Sequence, residues 1–180
     1  MKTDSWLERA AWLLLCLLVF SLPMEKGIQF PHLGTVSRLV GQAAFLAGAG
    51  AVAARRKLRR PTAVLPLAAA FVLWTGLTWF WSVARADTLI RFLTMAQLLG
   101  MLWLVWELCV TEARQKRLVE AFVAGASASS AWTVARFALN RQTNYRRYAT
   151  AGFDPNDLGM TLAIALTFAL HLSATRRGLA

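Results

Sequence analysis

TLIRFLTMAQLLGMLWLVWELCV, residues 88–110, carries charge only at Arg91, one turn from its start, and at Glu107, one turn from its end. A bilayer core about 30 Å thick needs about 20 mainly apolar helical residues to cross it. This stretch meets that need, and helix is the open-chain structure that satisfies its own backbone in lipid. Runs of the same kind occupy residues 7–24 (built on WLLLCLLVFSLPM, 12–24), 35–54, 62–83, 118–139 and 158–174. No apolar–polar alternation runs long enough to compete as strand. The fold expected is all-α, a polytopic integral membrane bundle of about six transmembrane helices, with 1–180 forming a single transmembrane domain.

Composition agrees. Of 180 residues, 57% are hydrophobic and 16% charged, with a net charge of +11 and a mean hydropathy of +0.47. Soluble domains are less apolar and more charged. A disordered tail is excluded, because disorder requires low hydrophobicity. A soluble nucleic-acid binder is excluded too, since such a protein keeps a solvated charged surface. Cys16 and Cys109 both sit in apolar runs at a spacing that fits no metal or redox motif, and they read as small hydrophobes, the alternative being a structural disulfide across the bundle.

The first run differs from a cleaved signal peptide. Its leader, MKTDSWLER, mixes acids with bases, and its exit, SLPMEKG, lacks a small-residue cleavage site, so an uncleaved first span is expected. Loop charges then set orientation. With a cytoplasmic N-terminus, the inside holds Lys2, Arg9, Arg55, Arg56, Lys57, Arg59, Arg60, Arg114, Lys116, Arg117, Arg176 and Arg177. The outside holds half as many: Lys26, Arg38, Arg85, Arg141, Arg146 and Arg147. The run RRKLRRP (55–61) serves as a topology anchor. Trp79 and Trp81 fall at the outer end of the third span, Trp6 and Trp106 at inner ends, where indole rings prefer the headgroup level. Two small-residue stripes, Ala121–Gly125–Ser129–Thr133 and Ala44–Gly48–Val52, read as seams where helices approach closely.

Chemistry is expected in the outer loop NRQTNYRRYATAGFDPND, residues 140–157. Arg141, Arg146 and Arg147 break the charge rule there. A guanidinium is never neutral in proteins and presents a planar fork that matches phosphate oxygens. Such a cluster at a membrane surface suits a lipid-linked diphosphate; the alternative is a solvated loop whose arginines touch lipid phosphates. Tyr145 and Tyr148 are placed to stack on sugars or to sit at the interface. In FDPNDLGMTLA, Asp154 reads as the N-cap of the sixth span, Pro155 as its first residue and Asp157 as a favourable charge on the helix dipole.

Ionisable groups inside a span are functional candidates by default. Arg91 has Asp87 one turn before it, and Arg136 lies one turn inside the outer end of the fifth span. Glu107 and Glu120 flank Arg114 and Arg117 and read as a local salt-bridge cluster. His171 is expected to hydrogen-bond within the bundle, and His32 reads as a loop residue. No nucleophile motif, zinc spacing, P-loop or nucleotide fingerprint is present. Neither a metal nor a cofactor is expected, and no residue is assigned as catalytic.

Two stretches carry a family likeness. LTWFWSVARADTLIRFL (77–93) resembles the junction of the third and fourth spans in the O-antigen ligase and polymerase superfamily, with Ser82, Asp87, Thr88 and Arg91 in the motif positions. RRYATAGFDPNDLGMTLA (146–163) is similar to the family's arginine–glycine and Asn-Pro-Asn region before a later span. Arg147, Gly152, Pro155, Asn156 and Ala163 stand in, with Asp154 where an Asn often occurs. The longer spacing leaves either Arg146 or Arg147 as the motif arginine. The likeness covers roughly residues 65–175.

The resemblance implies a metal-independent, inverting glycosyltransferase of the bacterial inner membrane. Such enzymes move a glycan from undecaprenyl diphosphate to lipid A core, a growing polysaccharide or a protein on the periplasmic side. It implies a substrate-binding set of Arg141, Arg146, Arg147, Arg91, Arg136, Asp154 and Asn156. The family's usual candidate base, a histidine in a large later outer loop, has no counterpart in His32 or His171. The chain therefore looks like the N-terminal half of such an enzyme, a truncated reading frame or one part of a split protein, and little or no transfer activity is expected of it alone. Partners implied are the lipid-linked glycan, its acceptor and membrane lipids, with no nucleic acid. A different class also fits the composition: a non-catalytic membrane assembly or transport module of a polysaccharide export system. A transporter should carry a polar stripe across the midplane, whereas the ionisable residues here gather at the two faces.

Overall fold

In the computed structural model of the chain, the described residues are 6–25, 29–30, 34–55, 58–139 and 154–176. Their regular structure is helical apart from one small hairpin. Helix α1 (Trp6–Ser21) tightens into a 3₁₀ turn at Leu22–Met24. Pro23 has no N–H to continue an α-helix, and a 3₁₀ turn is a common way to finish one. Strands β1 (Gln29–Phe30) and β2 (Gly34–Thr35) pair antiparallel, Gln29 opposite Thr35. Helices α2 (Val36–Arg55), α3 (Val64–Leu77), α4 (Arg85–Leu108), α5 (Glu112–Ala138) and α6 (Pro155–Arg176) follow.

Five stretches are long and apolar enough to cross a membrane: Trp6–Met24, Val36–Arg55, Arg85–Leu108, Glu112–Ala138 and Pro155–Thr175. By helix length and composition this is a multi-pass membrane protein. The run expected as a span at 62–83 is shorter. Helix α3 has 14 residues and continues as a 3₁₀ turn, Thr78–Phe80. Its start is delayed past Pro61, and two hydroxyls near its far end bond carbonyls three residues back. Thr75 Oγ1 donates to the Val72 carbonyl and Thr78 Oγ1 to the Thr75 carbonyl, both at 2.7 Å.

Helices α4 and α5 begin before the apolar runs that announce them. Hydropathy marks the part of a helix that lipid accepts, whereas the helix itself continues into polar residues. Thr111 starts α5 in extended backbone, its side chain accepting from the Arg114 N–H at 3.3 Å, which is the cap geometry favoured by a Thr.

The chain divides into two compact units, Met1–Ala11 with Phe45–Val110, and Trp12–Ala44 with Thr111–Ala180. In the first, α3 packs on α4. A Cβ at Gly76 would stand 2.9 Å from the Phe92 ring, so the missing side chain is what lets α3 lie on that face of α4. At the other end of α4, a Cβ at Gly48 would run into the side chain of fully buried Leu104. Phe45 lies over Gly100 and tilts against Trp103 at 6.0 Å.

In the second unit, α5 packs on α6 and on the 3₁₀ turn after α1. Gly125 sits against the main-chain carbonyl of Phe20, which occupies the space a Cβ would need. Ala126 and Ser129 beside it are buried. The stripe through Gly125 and Ser129 is thus a seam of backbone-to-backbone approach, as expected of small residues in lipid. Phe122 and Phe168 meet edge to face at 5.8 Å between α5 and α6. Ser21 and Ser37, both buried, join the end of α1 to the start of α2. Their hydroxyls are 3.1 Å apart, and Ser37 Oγ also donates to the Ser21 carbonyl at 3.3 Å.

Candidate functional site

The expected binding set divides three ways. Arg141, Arg146 and Arg147, with Tyr145, Tyr148 and Gly152, lie outside the described residues, as does His32. Asp154 and Asn156 are described and open α6. Arg91 and Arg136 are described and belong to different units.

At the start of α6 the local physics is complete. Oδ1 of Asp154 accepts the main-chain N–H of Asn156 at 2.7 Å, and its carbonyl accepts from Leu158 N–H at 3.1 Å. Pro155, whose absent N–H would have had no intrahelical partner, stands first in the helix, and Asp157 lies in the first turn, where negative charge suits the dipole. Asn156 is exposed through its side chain. The D-P-N-D sequence therefore builds the helix start by itself. Asp154 and Asn156 are both exposed there.

The stretch that begins α4 is ordered by a different contact. The hydroxyls of Ser82 and Thr88 lie 2.6 Å apart, and Thr88 Oγ1 also reaches the Ala84 carbonyl at 3.1 Å. These two motif positions thus brace the turn between the 3₁₀ segment and α4, where Ala84 offers no side-chain cap. Around them stands an aromatic rim. Trp74 meets Trp81 edge-on at 6.2 Å, Trp79 meets Phe80 at 5.5 Å, and the Arg85 guanidinium lies 5.4 Å from the Trp79 ring centre. All of these aromatics are exposed. Asp87 and Arg91 are exposed on consecutive turns, and no ion pair joins them. Arg136 is half-buried in the last turn of α5.

A second constellation lies at the other end of α4, which the sequence reading assigned differently. Glu107 is 3% exposed. Its Oε1 accepts the main-chain N–H of Arg59 at 3.1 Å, while Nη1 of Arg59 donates to the Trp106 carbonyl at 2.9 Å. The same guanidinium lies 4.2 Å from the Trp106 ring centre. Arg55 pairs with Glu8 at 3.2 Å. Glu107 therefore pairs with the basic RRKLRRP run rather than forming the local cluster expected with Arg114 and Arg117. Those arginines lie beyond the helix end at Leu108, and the Arg114 guanidinium lies 5.5 Å from the Trp12 ring centre. The Val105 carbonyl accepts the Cys109 N–H at 2.9 Å, and a guanidinium is well suited to serve a carbonyl that follows it at a helix end.

One other expectation changes, and the reading of the two cysteines as unbridged holds. His171 is exposed and forms no side-chain hydrogen bond among the described residues; on α6 it faces away from the seam with α5. Cys16 and Cys109 are free thiols. A groove of about 510 Å³ between α5 and α6 is lined by Glu120, Val123, Ala124, Ala169, Leu172 and Ser173. Small side chains on both helices open it, and Glu120 gives it one acid.

No family model, no curated protein and no solved structure matches this chain.

Proposed function

We propose that the chain is an O-antigen-ligase-like membrane protein of cell-envelope polysaccharide biosynthesis, resident in the inner membrane of a bacterium. Its ligand on this reading is an undecaprenyl-diphosphate-linked glycan, and the acceptor is lipid A core or a growing polysaccharide. One observation carries the reading. The two motif-bearing stretches, 77–93 and 146–163, each lead into the first turn of an apolar helix, α4 and α6. On the proposed topology α4, α5 and α6 each cross once, which assigns both starts to the outer side.

The topology proposed has six crossings and a cytoplasmic N-terminus. Helix α3 with its 3₁₀ turn rises about 27 Å, close to the thickness of the hydrocarbon core, and a slightly short span is accommodated by local thinning of the bilayer. The twofold excess of basic residues on the RRKLRRP side sets the orientation. Residues 140–157 then lie outside, together with the exposed aromatic rim of Trp79 and Trp81.

In this arrangement Arg141, Arg146 and Arg147 hold the diphosphate through charge-assisted hydrogen bonds. Arg136, in the last turn of α5, and Arg91, the seventh residue of α4, add positive potential. Asp154 and Asn156 fix where the loop meets α6. The chemistry these residues supply is stabilisation of the negative charge that grows on a departing diphosphate. Proton transfer is not assigned to any residue of this chain.

The test uses the purified chain in lipid nanodiscs. It should bind polyprenyl diphosphate more tightly than polyprenyl monophosphate, and Arg146→Ala with Arg147→Ala should weaken the diphosphate at least about tenfold, since hydrogen bonds to charged groups contribute about 1.5–3 kcal/mol each. Equal affinity before and after the double substitution removes the assignment.

A further inference from the structure

The segment between α2 and α3 gathers Arg55, Arg56, Lys57, Arg59 and Arg60 within six residues. Through Arg59 it joins the last turn of α4, inside one compact unit. Two carboxylates of that unit meet it there, and both are engaged. Glu8 pairs with Arg55 at 3.2 Å, and Glu107 accepts the main-chain N–H of Arg59. Asp87, the other acid among the unit's described residues, lies in the first turn at the opposite end of α4. The unit's own residues therefore leave positive charge in excess at this end of α4.

The donors at this place suit one kind of ligand. Helix α2 ends at Arg55 and α4 at Leu108, and both are long and apolar enough to cross a membrane. The segment that follows α2 and meets the end of α4 thus stands where hydrocarbon gives way to headgroups, a level that indole rings favour. The Arg59 guanidinium lies 4.2 Å from the Trp106 ring centre and donates through Nη1 to the Trp106 carbonyl. Its other N–H groups keep the planar fork that fits a phosphate. The indole Nε1 of the same Trp106 is buried and has no acceptor among the described residues. A buried donor left unpaired is costly. Arg60, next in the chain, forms no hydrogen bond or ion pair among the described residues.

We propose that the α2–α3 segment and the end of α4 seat the headgroup of one anionic glycerophospholipid, of the phosphatidylglycerol kind. One phosphodiester oxygen accepts from the Arg59 fork and another from the Trp106 indole N–H, since the guanidinium lies over that ring. Arg60 supplies charge, and basic segments at the membrane surface gain from anionic lipid in just this way. A zwitterionic headgroup brings its own cation to the same place and loses that gain. A lipid fits better than free phosphate, because the seat lies at the ends of apolar helices and Leu58 sets an apolar side chain among the bases. The headgroup then fastens the segment to α4 alongside the two Arg59 hydrogen bonds. This inference goes beyond the glycan-carrier reading, uses no residue of 140–157, and stands if those residues bind nothing.

The experiment uses the full chain purified in a neutral detergent, with bound lipid read by native mass spectrometry. The unsubstituted chain should retain one phosphatidylglycerol about tenfold more tightly than phosphatidylcholine, which carries the same phosphodiester with a cation. Trp106→Phe keeps a ring for Arg59 and removes the indole N–H; it should weaken phosphatidylglycerol about tenfold. Arg60→Ala should weaken it about fivefold. Lys116→Ala, which removes the same charge from the start of α5, should change it less than about twofold. Phosphatidylcholine retention should stay the same in all three variants, and glycerol 3-phosphate should displace nothing. Equal retention of the two lipids by the unsubstituted chain overturns the proposal, as does no response to Trp106→Phe. Equal losses in Arg60→Ala and Lys116→Ala also overturn it, since they reduce the effect to general attraction between a basic protein and acidic lipid. Displacement by glycerol 3-phosphate would make the seat one for free phosphate and overturn the lipid assignment.

Discussion

The main-chain N–H of Arg59 donates to Oε1 of Glu107 at 3.1 Å, across 48 positions of sequence. A carboxylate that is almost wholly buried thereby receives a backbone donor from the most basic stretch of the chain. The guanidinium of the same Arg59 turns to the end of α4 and to the Trp106 ring. One residue ties the loop to the helix twice, once through backbone and once through side chain.

Removing the acceptor should therefore cost more than changing its charge. Glu107→Ala leaves the Arg59 N–H without a partner and is expected to lower stability by about 1–3 kcal/mol. Glu107→Gln keeps an oxygen in place and should retain most of that stability. Thermal unfolding of the detergent-solubilised protein compares the two. Equal losses would show that charge, not the backbone contact, is what matters.

The two small-residue seams should respond differently to an added methyl. Gly125→Ala drives a Cβ into the Phe20 carbonyl, part of a backbone that has no rotamer to adopt. Gly48→Ala meets the end of the Leu104 side chain, which turns at lower cost. Overpacking costs typically about 1–3 kcal/mol, and Gly125→Ala belongs at or above the top of that range with Gly48→Ala near the bottom. Unfolding free energies from steric trapping rank them; the reverse order would place the tighter seam on α2 rather than α5.

At the start of α6, Asp154→Ala removes the acceptor for the Asn156 N–H and should destabilise the helix by about 1 kcal/mol. Asp154→Asn keeps an oxygen there and should be nearly neutral. Hydrogen exchange at Asn156, Asp157 and Leu158 reports the cap locally. Unchanged protection in the alanine variant would mean that Pro155 and neighbouring packing fix the start without it.

Much of the helical framework was legible because lipid imposes one dominant rule. Apolar runs at 7–24, 35–54, 88–110, 118–139 and 158–174 sit inside α1 with its 3₁₀ turn, α2, α4, α5 and α6, with ends displaced by a few residues. The displacements fall where caps decide: Thr111 is a capping residue visible in sequence, yet outside the apolar run. The shortness of α3 was less visible, because hydropathy does not report the back-bonding of Thr75 and Thr78. Asp154 as a cap was legible since every participant lies within four residues. Glu107 was not. Its nearest basic neighbours in sequence are Arg114 and Arg117, and only the return of the chain between α2 and α3 brings Arg59 to it.

The side of the membrane on which residues 140–157 lie decides whether an anionic carrier can reach their arginines. Thr143→Cys in intact cells, probed with a membrane-impermeant maleimide, measures this directly. Labelling from the periplasm without cell lysis, alongside a cysteine at Leu58 that labels only after lysis, is the expected result. Protection of Thr143→Cys until the cells are opened, with Leu58→Cys labelled from outside, would place those guanidiniums in the cytosol and contradict the proposed function.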